Sequence, residues 1–247
     1  MNNKLLVIAR KDIGEAFRSR STYIVILVML VLTFSYISVY TEYIKGLNNN
    51  QQLINNYSRA FLNSLAYVLP MMFSIFVCSV FANYAVIVDK AKRNLESLMA
   101  TPVSIKQIWI GKSLAVTLPS IGIGITVAIV SFLVMDIWFV MPKTGTFIFP
   151  GIWAIISALI IVPVLLFTIV SIVTYIQLVI TNPRIGNFVF SGIFFLLLFG
   201  LNALGGLGLS FNYLALIYLG VIALCAVISY FLSLSLTKEK VLLSSKV

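Results

Sequence analysis

Long apolar stretches alternate with short polar ones along this chain, and the alternation sets its architecture. Between Thr144 and Pro183 no side chain is charged. The hydrocarbon core of a bilayer is about 30 Å thick, so a crossing helix needs ~20 apolar residues. Every backbone group and charge in that layer must be satisfied internally. The pattern predicts an all-α polytopic membrane protein with six spans, near 22–41, 63–88, 113–135, 150–180, 187–208 and 212–236. The second and fourth exceed the minimum and are expected to tilt, kink or project. Pro70, Pro119 and Pro163 fall inside spans and are expected kinks.

Ahead of the first span, residues 4–20 have helical periodicity. Leu6, Ala9, Ile13, Ala16 and Phe17 share one face, and Arg10, Lys11, Gly14, Glu15 and Arg18 the opposite one. This predicts an amphipathic helix lying in the membrane interface, the alternative being a charged stub that enforces topology.

Composition agrees with a membrane protein: 61% hydrophobic and 10% charged residues, against about 25% charged in soluble domains, with a mean hydropathy of +1.08. At 247 residues the chain has room for a single transmembrane domain, 1–247. Fourteen Lys and Arg fall in segments on one side: the N-terminal stretch, the loop after span two, Arg184 and the tail. Three, Lys45, Arg59 and Lys143, fall on the other. Positive charge stays cytoplasmic, so both termini are expected inside a cell membrane. The net charge of +10 is read as topology and affinity for anionic lipid, with no nucleic-acid partner implied. The five-residue apolar patch near the N-terminus is too short for a cleavable leader. Cys78 and Cys225 lie within spans as small packing residues. The Asn-rich segment 42–61 carries the formal acceptor Asn56-Tyr57-Ser58 and reads as a solvated external loop.

Chemistry is marked by what is missing. With no histidine there is no Ser-His nucleophile and no His-ligated metal. Asp89, Glu42 and Asp136 fall at span boundaries, leaving no carboxylate at mid-membrane to hold a coupling ion. Gly111-Lys112-Ser113 looks like the end of a phosphate-binding loop, but Lys106 stands where that motif requires glycine. The expectation is a chain with no catalytic site, cofactor or metal of its own. It is then a passive pore or draws energy from a partner.

The segment from Asp89 to Lys112 is the most informative. Leu95, Leu98 and Met99 form an apolar strip on a short helix that Pro102 stops. A second apolar face follows at Ile105, Ile108 and Trp109. Such a helix suits docking into a groove of a cytoplasmic protein, or packing against its own bundle. Leu95-Glu96, Leu98-Met99, Ala100-Thr101-Pro102-Val103 and Gly111-Lys112, with Lys11-Asp12 and Arg18-Ser19-Arg20 before span one, resemble the membrane subunit of ABC type-2 exporters. The resemblance covers the chain in architecture, with its sequence signal concentrated in about 25 residues. Two departures stand out: Arg93-Asn94 replaces Gly-Thr, and only Gly205-Gly206-Leu207-Gly208 stands where a re-entrant element often precedes the last span.

The resemblance implies a coupling helix carrying Arg93, Leu95, Glu96, Leu98, Met99, Thr101 and Pro102, seated in a separate ABC ATPase subunit present in two copies. ATP and Mg would bind on that subunit. It also implies a homodimer or a paralogue heterodimer of the permease, and export rather than import. Candidate path-lining residues are Asn83, Gln177 and Asn202, alongside Tyr67, Tyr84 and Tyr175, each also explicable by interhelical hydrogen bonding. Ser120, Gly124 and Ala128 form a small-residue face for close helix contact. The alternative to an exporter subunit is a passive channel or uncoupled facilitator. The substrate is unspecified.

Overall fold

The computed structural model describes residues 2–46, 51–92, 94–180, 182, 185, 188–192, 195–196 and 212–245. Among these residues the secondary structure is entirely helical. In chain order the helices are α1 (Asn2–Phe17), α2 (Arg20–Lys45), α3 (Gln51–Val88), α4 (Asn94–Met99), α5 (Ile105–Thr144), α6 (Ile152–Val179), α7 (Asn212–Ser235) and α8 (Lys238–Ser245). A further turn, Asp89–Ala91, extends α3. Five helices, α2, α3, α5, α6 and α7, are long and apolar enough to cross a membrane, the architecture of a multi-pass membrane protein. The predicted span 187–208 lies for the most part outside the described residues.

Local chemistry fixes the starts of two of these helices. Ser19 is extended (φ −78°, ψ 135°), and its hydroxyl accepts from the Ser21 N–H at 3.1 Å, capping α2. Ser104 caps α5 through a reciprocal box: its Oγ accepts from the Gln107 N–H, and Gln107 Oε1 accepts from the Ser104 N–H.

Two helices outrun their predicted spans. α3 has 38 residues and α5 has 40, about 57 and 60 Å at 1.5 Å per residue, so neither fits inside a ~30 Å core. The reading of 42–61 as a solvated loop is corrected here: α3 begins at Gln51. Ser58 of the formal acceptor site is fully buried and shares a 2.8 Å hydrogen bond with the Tyr40 hydroxyl. Polar composition hid this extension, because a helix outside the bilayer needs only one apolar stripe. Ile54, Ser58, Leu62 and Leu65 supply it.

Wider, π-helical turns interrupt three helices, at Asn83–Val88, Asp136–Val140 and Ser157–Ile161. The second and third end two residues before Pro142 and Pro163. A proline ring collides with the carbonyl four residues back, here Trp138 and Leu159, and both lie within the π turns. Widening the turn moves that carbonyl away without breaking the helix. Pro70 and Pro119 sit inside α-helical stretches that continue through them.

The centre of the bundle is the α3–α5 contact. The apolar window of α3 is 78% buried, against 18% for α2 and 17% for α7, so α3 is the hub and α2 and α7 are peripheral. The small-residue face of α5 is used within the chain: Ser120, Gly124 and Ala128 are all buried. A Cβ on Gly124 would lie 2.1 Å from Ser74 Oγ and 2.7 Å from the Ser74 backbone nitrogen. Only glycine permits this approach.

Candidate functional site: a buried ion cluster beneath the short helix

Lys112 sits in the second turn of α5, on a buried stripe with Ile105, Ile108, Trp109, Ala115 and Val116. The stripe faces α1 and the end of α3, so folding carries the ammonium inside. Lys112 is 0% exposed. A buried cation must be paired and hydrogen-bonded. Lys112 Nζ donates to Asp89 Oδ2 at 2.6 Å, to Asp12 Oδ2 at 3.2 Å and to the Ala85 carbonyl. Three donors therefore meet three acceptors. Asp89 Oδ1 accepts from Asn94 Nδ2 at 3.0 Å and lies 3.5 Å from Lys11 Nζ. Lys11 also reaches Glu15 at 3.9 Å on the exposed side of α1.

The cluster ties together four segments distant in sequence. Asp12 comes from α1, Ala85 and Asp89 from the end of α3, Asn94 from α4 and Lys112 from α5. A pocket of about 140 Å³ opens onto it, lined by Lys11, Asp12, Asp89, Asn94, Ser97, Leu98 and Lys112. The two carboxylates differ electrostatically. Burial lifts the Asp12 carboxyl above its ordinary range, and Lys112 offsets this only in part. Burial also acts to raise Asp89, but the shorter bond to Lys112, with Asn94 and Lys11, outweighs it and holds the carboxyl below the usual value. Asp89 is thus the firm partner of Lys112 and Asp12 the softer one. Next to the cluster, burial pushes Lys90 down to about 8, and its ammonium donates to the Ile180 carbonyl at the end of α6, 2.8 Å away.

The short helix after α3 exists, as α4, and its orientation corrects one expectation. Leu95 (1% exposed) and Met99 (7%) are buried in the chain's own core, and Leu98 packs against it. The apolar strip is therefore held by the bundle and is not a free docking surface. Amphipathicity says that a face is covered, not by what. Glu96 is half-buried, while Ser97, Ala100, Thr101 and Pro102 are exposed. Arg93 lies outside the described residues. The Met99 carbonyl accepts from Lys238 Nζ at 3.3 Å, so the C-terminal helix α8 abuts α4. The second apolar face belongs to the first turns of α5, where Trp109 Nε1 donates to the Ser171 carbonyl of α6 at 2.8 Å.

Arg10 on α1 and Arg18 in the turn after it are exposed, and Lys11 is half-exposed. Phe17 is 41% exposed and meets Phe81 edge to face at 5.3 Å. Asp12 lies on the same buried side as Ala16, so the inner face of α1 carries an acid as well as apolar residues. Among the path candidates, Asn83 is half-buried in the first π turn, Gln177 is fully buried, and Asn202 lies outside the described residues. Two of the tyrosine hydroxyls make tertiary bonds, Ser19 Oγ donating to Tyr84 at 2.5 Å and Tyr175 pairing with Ser235 at 2.6 Å, and Tyr67 is buried.

In the sequence, Lys112 reads as a topology charge and Asp89 as a span-boundary carboxylate, and the cluster is not assembled. The signal was present at Lys112: a lysine at the centre of the stripe Ile105, Ile108, Trp109, Ala115, Val116 requires a buried counter-charge. The identity of the partners, 23 and 100 residues away, was not readable. Among the described residues, no three His, Cys, Asp or Glu come together as a metal site. No family model, curated protein or solved structure matches this chain.

Proposed function

We propose that the chain is the membrane-spanning permease subunit of an ATP-driven exporter of the ABC type-2 kind. It moves its substrate across the cell membrane when a separate cytoplasmic ATPase, present in two copies, hydrolyses ATP with Mg. In this reading the chain has six spans, cytoplasmic termini and an interfacial α1. It pairs with a second permease chain and has no catalytic site of its own.

The observation that carries the reading is the ion cluster. A displacement of α4 by a partner is transmitted through Asn94 and Asp89 to Lys112 on α5 and through Asp12 to α1. A passive pore has no need for a surface loop keyed rigidly to three other helices. Ser97 on α4, with Ala100, Thr101 and Pro102 in the turn after it, is the exposed edge offered to the ATPase, with Glu96 beside it. The apolar residues Leu95, Leu98 and Met99 hold α4 in place behind that edge.

The test separates edge from base. Ser97→Arg with Thr101→Arg should reach the membrane at normal level and lose co-purification with a co-expressed candidate ABC ATPase. Met99→Asp should lower the membrane level itself, because its side chain is buried. Retention of the ATPase at unchanged affinity by the double arginine variant overturns the docking assignment. Gradient-driven uptake by the purified chain alone would favour a carrier that needs no partner.

A further inference from the structure

On α6, residues 171, 174 and 177 follow one another at three-residue spacing and continue to the helix end at Ile180. The backbone carbonyls at the two ends of this stripe are engaged, Ser171 by Trp109 Nε1 and Ile180 by Lys90 Nζ, both at 2.8 Å. The stripe therefore faces α5 at one end and the end of α3, beyond the π turn Asn83–Val88, at the other. Between these anchors lie Thr174 and Gln177, each 0% exposed. Thr174 Oγ1, Gln177 Nε2 and Gln177 Oε1 have no hydrogen-bond partner among the described residues.

Ser74, Ser157 and Ser229 also hold a buried hydroxyl without a partner, but among the described residues only Gln177 leaves both ends of an amide unmet, with Thr174 one turn away. The buried hydroxyls of Ser113, Thr117, Ser120 and Ser171 all donate to the carbonyl four residues back. The Val170 carbonyl stands in the same relation to Thr174, whose hydroxyl does not use it. A primary amide such as Gln177 has two donors and two acceptor lone pairs to satisfy, and leaving all of them unmet in a protein interior is strongly unfavourable. A second protein chain cannot supply the partners, because the bundle already closes over these atoms. The groups present are neutral, both donating and accepting. Water matches that set, since it bridges otherwise unsatisfied buried groups with two to four hydrogen bonds.

We propose that Thr174 and Gln177 form a water-binding site, the inner part of a hydrated seam that enters the bundle between the Ile180 end of α6 and the Asn83–Val88 turn. Gln177 lies one helical turn from that end. Water there lets α6 shift against α3 by exchanging hydrogen bonds rather than losing them. The proposal rests on the buried polar atoms alone and is independent of the ATPase reading.

A thiol reacts as thiolate, which a dry apolar site suppresses and a hydrated one supports. The chain is placed in a cysteine-free background, Cys78→Ala with Cys225→Ala, and kept in native membranes. Thr174→Cys, Gln177→Cys and Ile169→Cys are each treated with membrane-permeant methanethiosulfonate ethylammonium. Ile169 is 7% exposed, apolar, and about 140° around the helix from Thr174. Cysteines at 174 and 177 should react at least about tenfold faster than the one at 169. Equal rates at all three positions, fast or slow, overturn the seam. If Gln177→Cys does not accumulate in membranes, the nearly isosteric Thr174→Cys decides alone.

Discussion

Replacing Lys112 by methionine isolates the work of the ion cluster. The substitution keeps chain length and removes the charge, leaving Asp12 and Asp89, 4% and 3% exposed, facing one another without a cation between them. Removing one partner of a buried ion pair costs about 3–5 kcal/mol, because the other charge stays buried and uncompensated. Lys11 is 3.5 Å from Asp89 but half-exposed, so its compensation is screened by solvent. In a domain of this size 1 kcal/mol shifts Tm by roughly 2–4 °C, so Lys112→Met should lower it by about 6–20 °C. The assay is thermal unfolding of the detergent-purified chain, followed by fluorescence size exclusion. Neutralising the whole cluster, Lys112→Met with Asp12→Asn and Asp89→Asn, should recover part of the loss, since a buried neutral amide costs less to desolvate than an uncompensated charge. Under the proposed exporter reading, the same triple variant should bind the ATPase yet fail to couple hydrolysis to transport, because the charged links between α4, α1 and α5 are gone. A Tm for Lys112→Met within about 2 °C of wild type refutes the energetic argument, and full coupling in the triple variant refutes the mechanical one.

Three further outcomes are expected. Gly124→Ala should destabilise by more than the ~1–3 kcal/mol usual for overpacking, and Ser74→Gly should rescue it only in part, because the added Cβ also meets the Ser74 backbone; thermal unfolding of the single and double variants checks this. Because the folded state holds Lys90 at about 8 against an ordinary 10.5, folding releases its proton early, and wild type should gain stability relative to Lys90→Met as pH rises from about 8 towards 10.5; a pH-independent Tm difference refutes this. Single cysteines at Gln52 and Lys143 should label from outside intact cells with an impermeant reagent, and those at Ser97 and Lys238 only after permeabilisation; outside labelling at Ser97 inverts the topology.

Hydrophobic runs and charge asymmetry were enough to read an all-helical membrane protein and to place 150–180 and 212–236 within a residue or two of Ile152–Val179 and Asn212–Ser235. They also marked Ser120, Gly124 and Ala128 as a contact face and the segment after Met99 as a helix stop. These features follow from local composition, because bilayer thickness and side-chain size act on each segment separately. Long-range packing decided the rest. Helix α3 extends back to Gln51 because Ser58 and Leu62 bury against α2, a contact that polar composition does not announce. Leu95 and Met99 face inward because the neighbouring bundle covers them, whereas periodicity shows only that one side of α4 is apolar. Lys112, Asp89 and Asp12 look like ordinary interface charges one at a time. They become a site because α1, α3 and α5 converge there, and a buried charge acquires its meaning from the partner that folding brings to it.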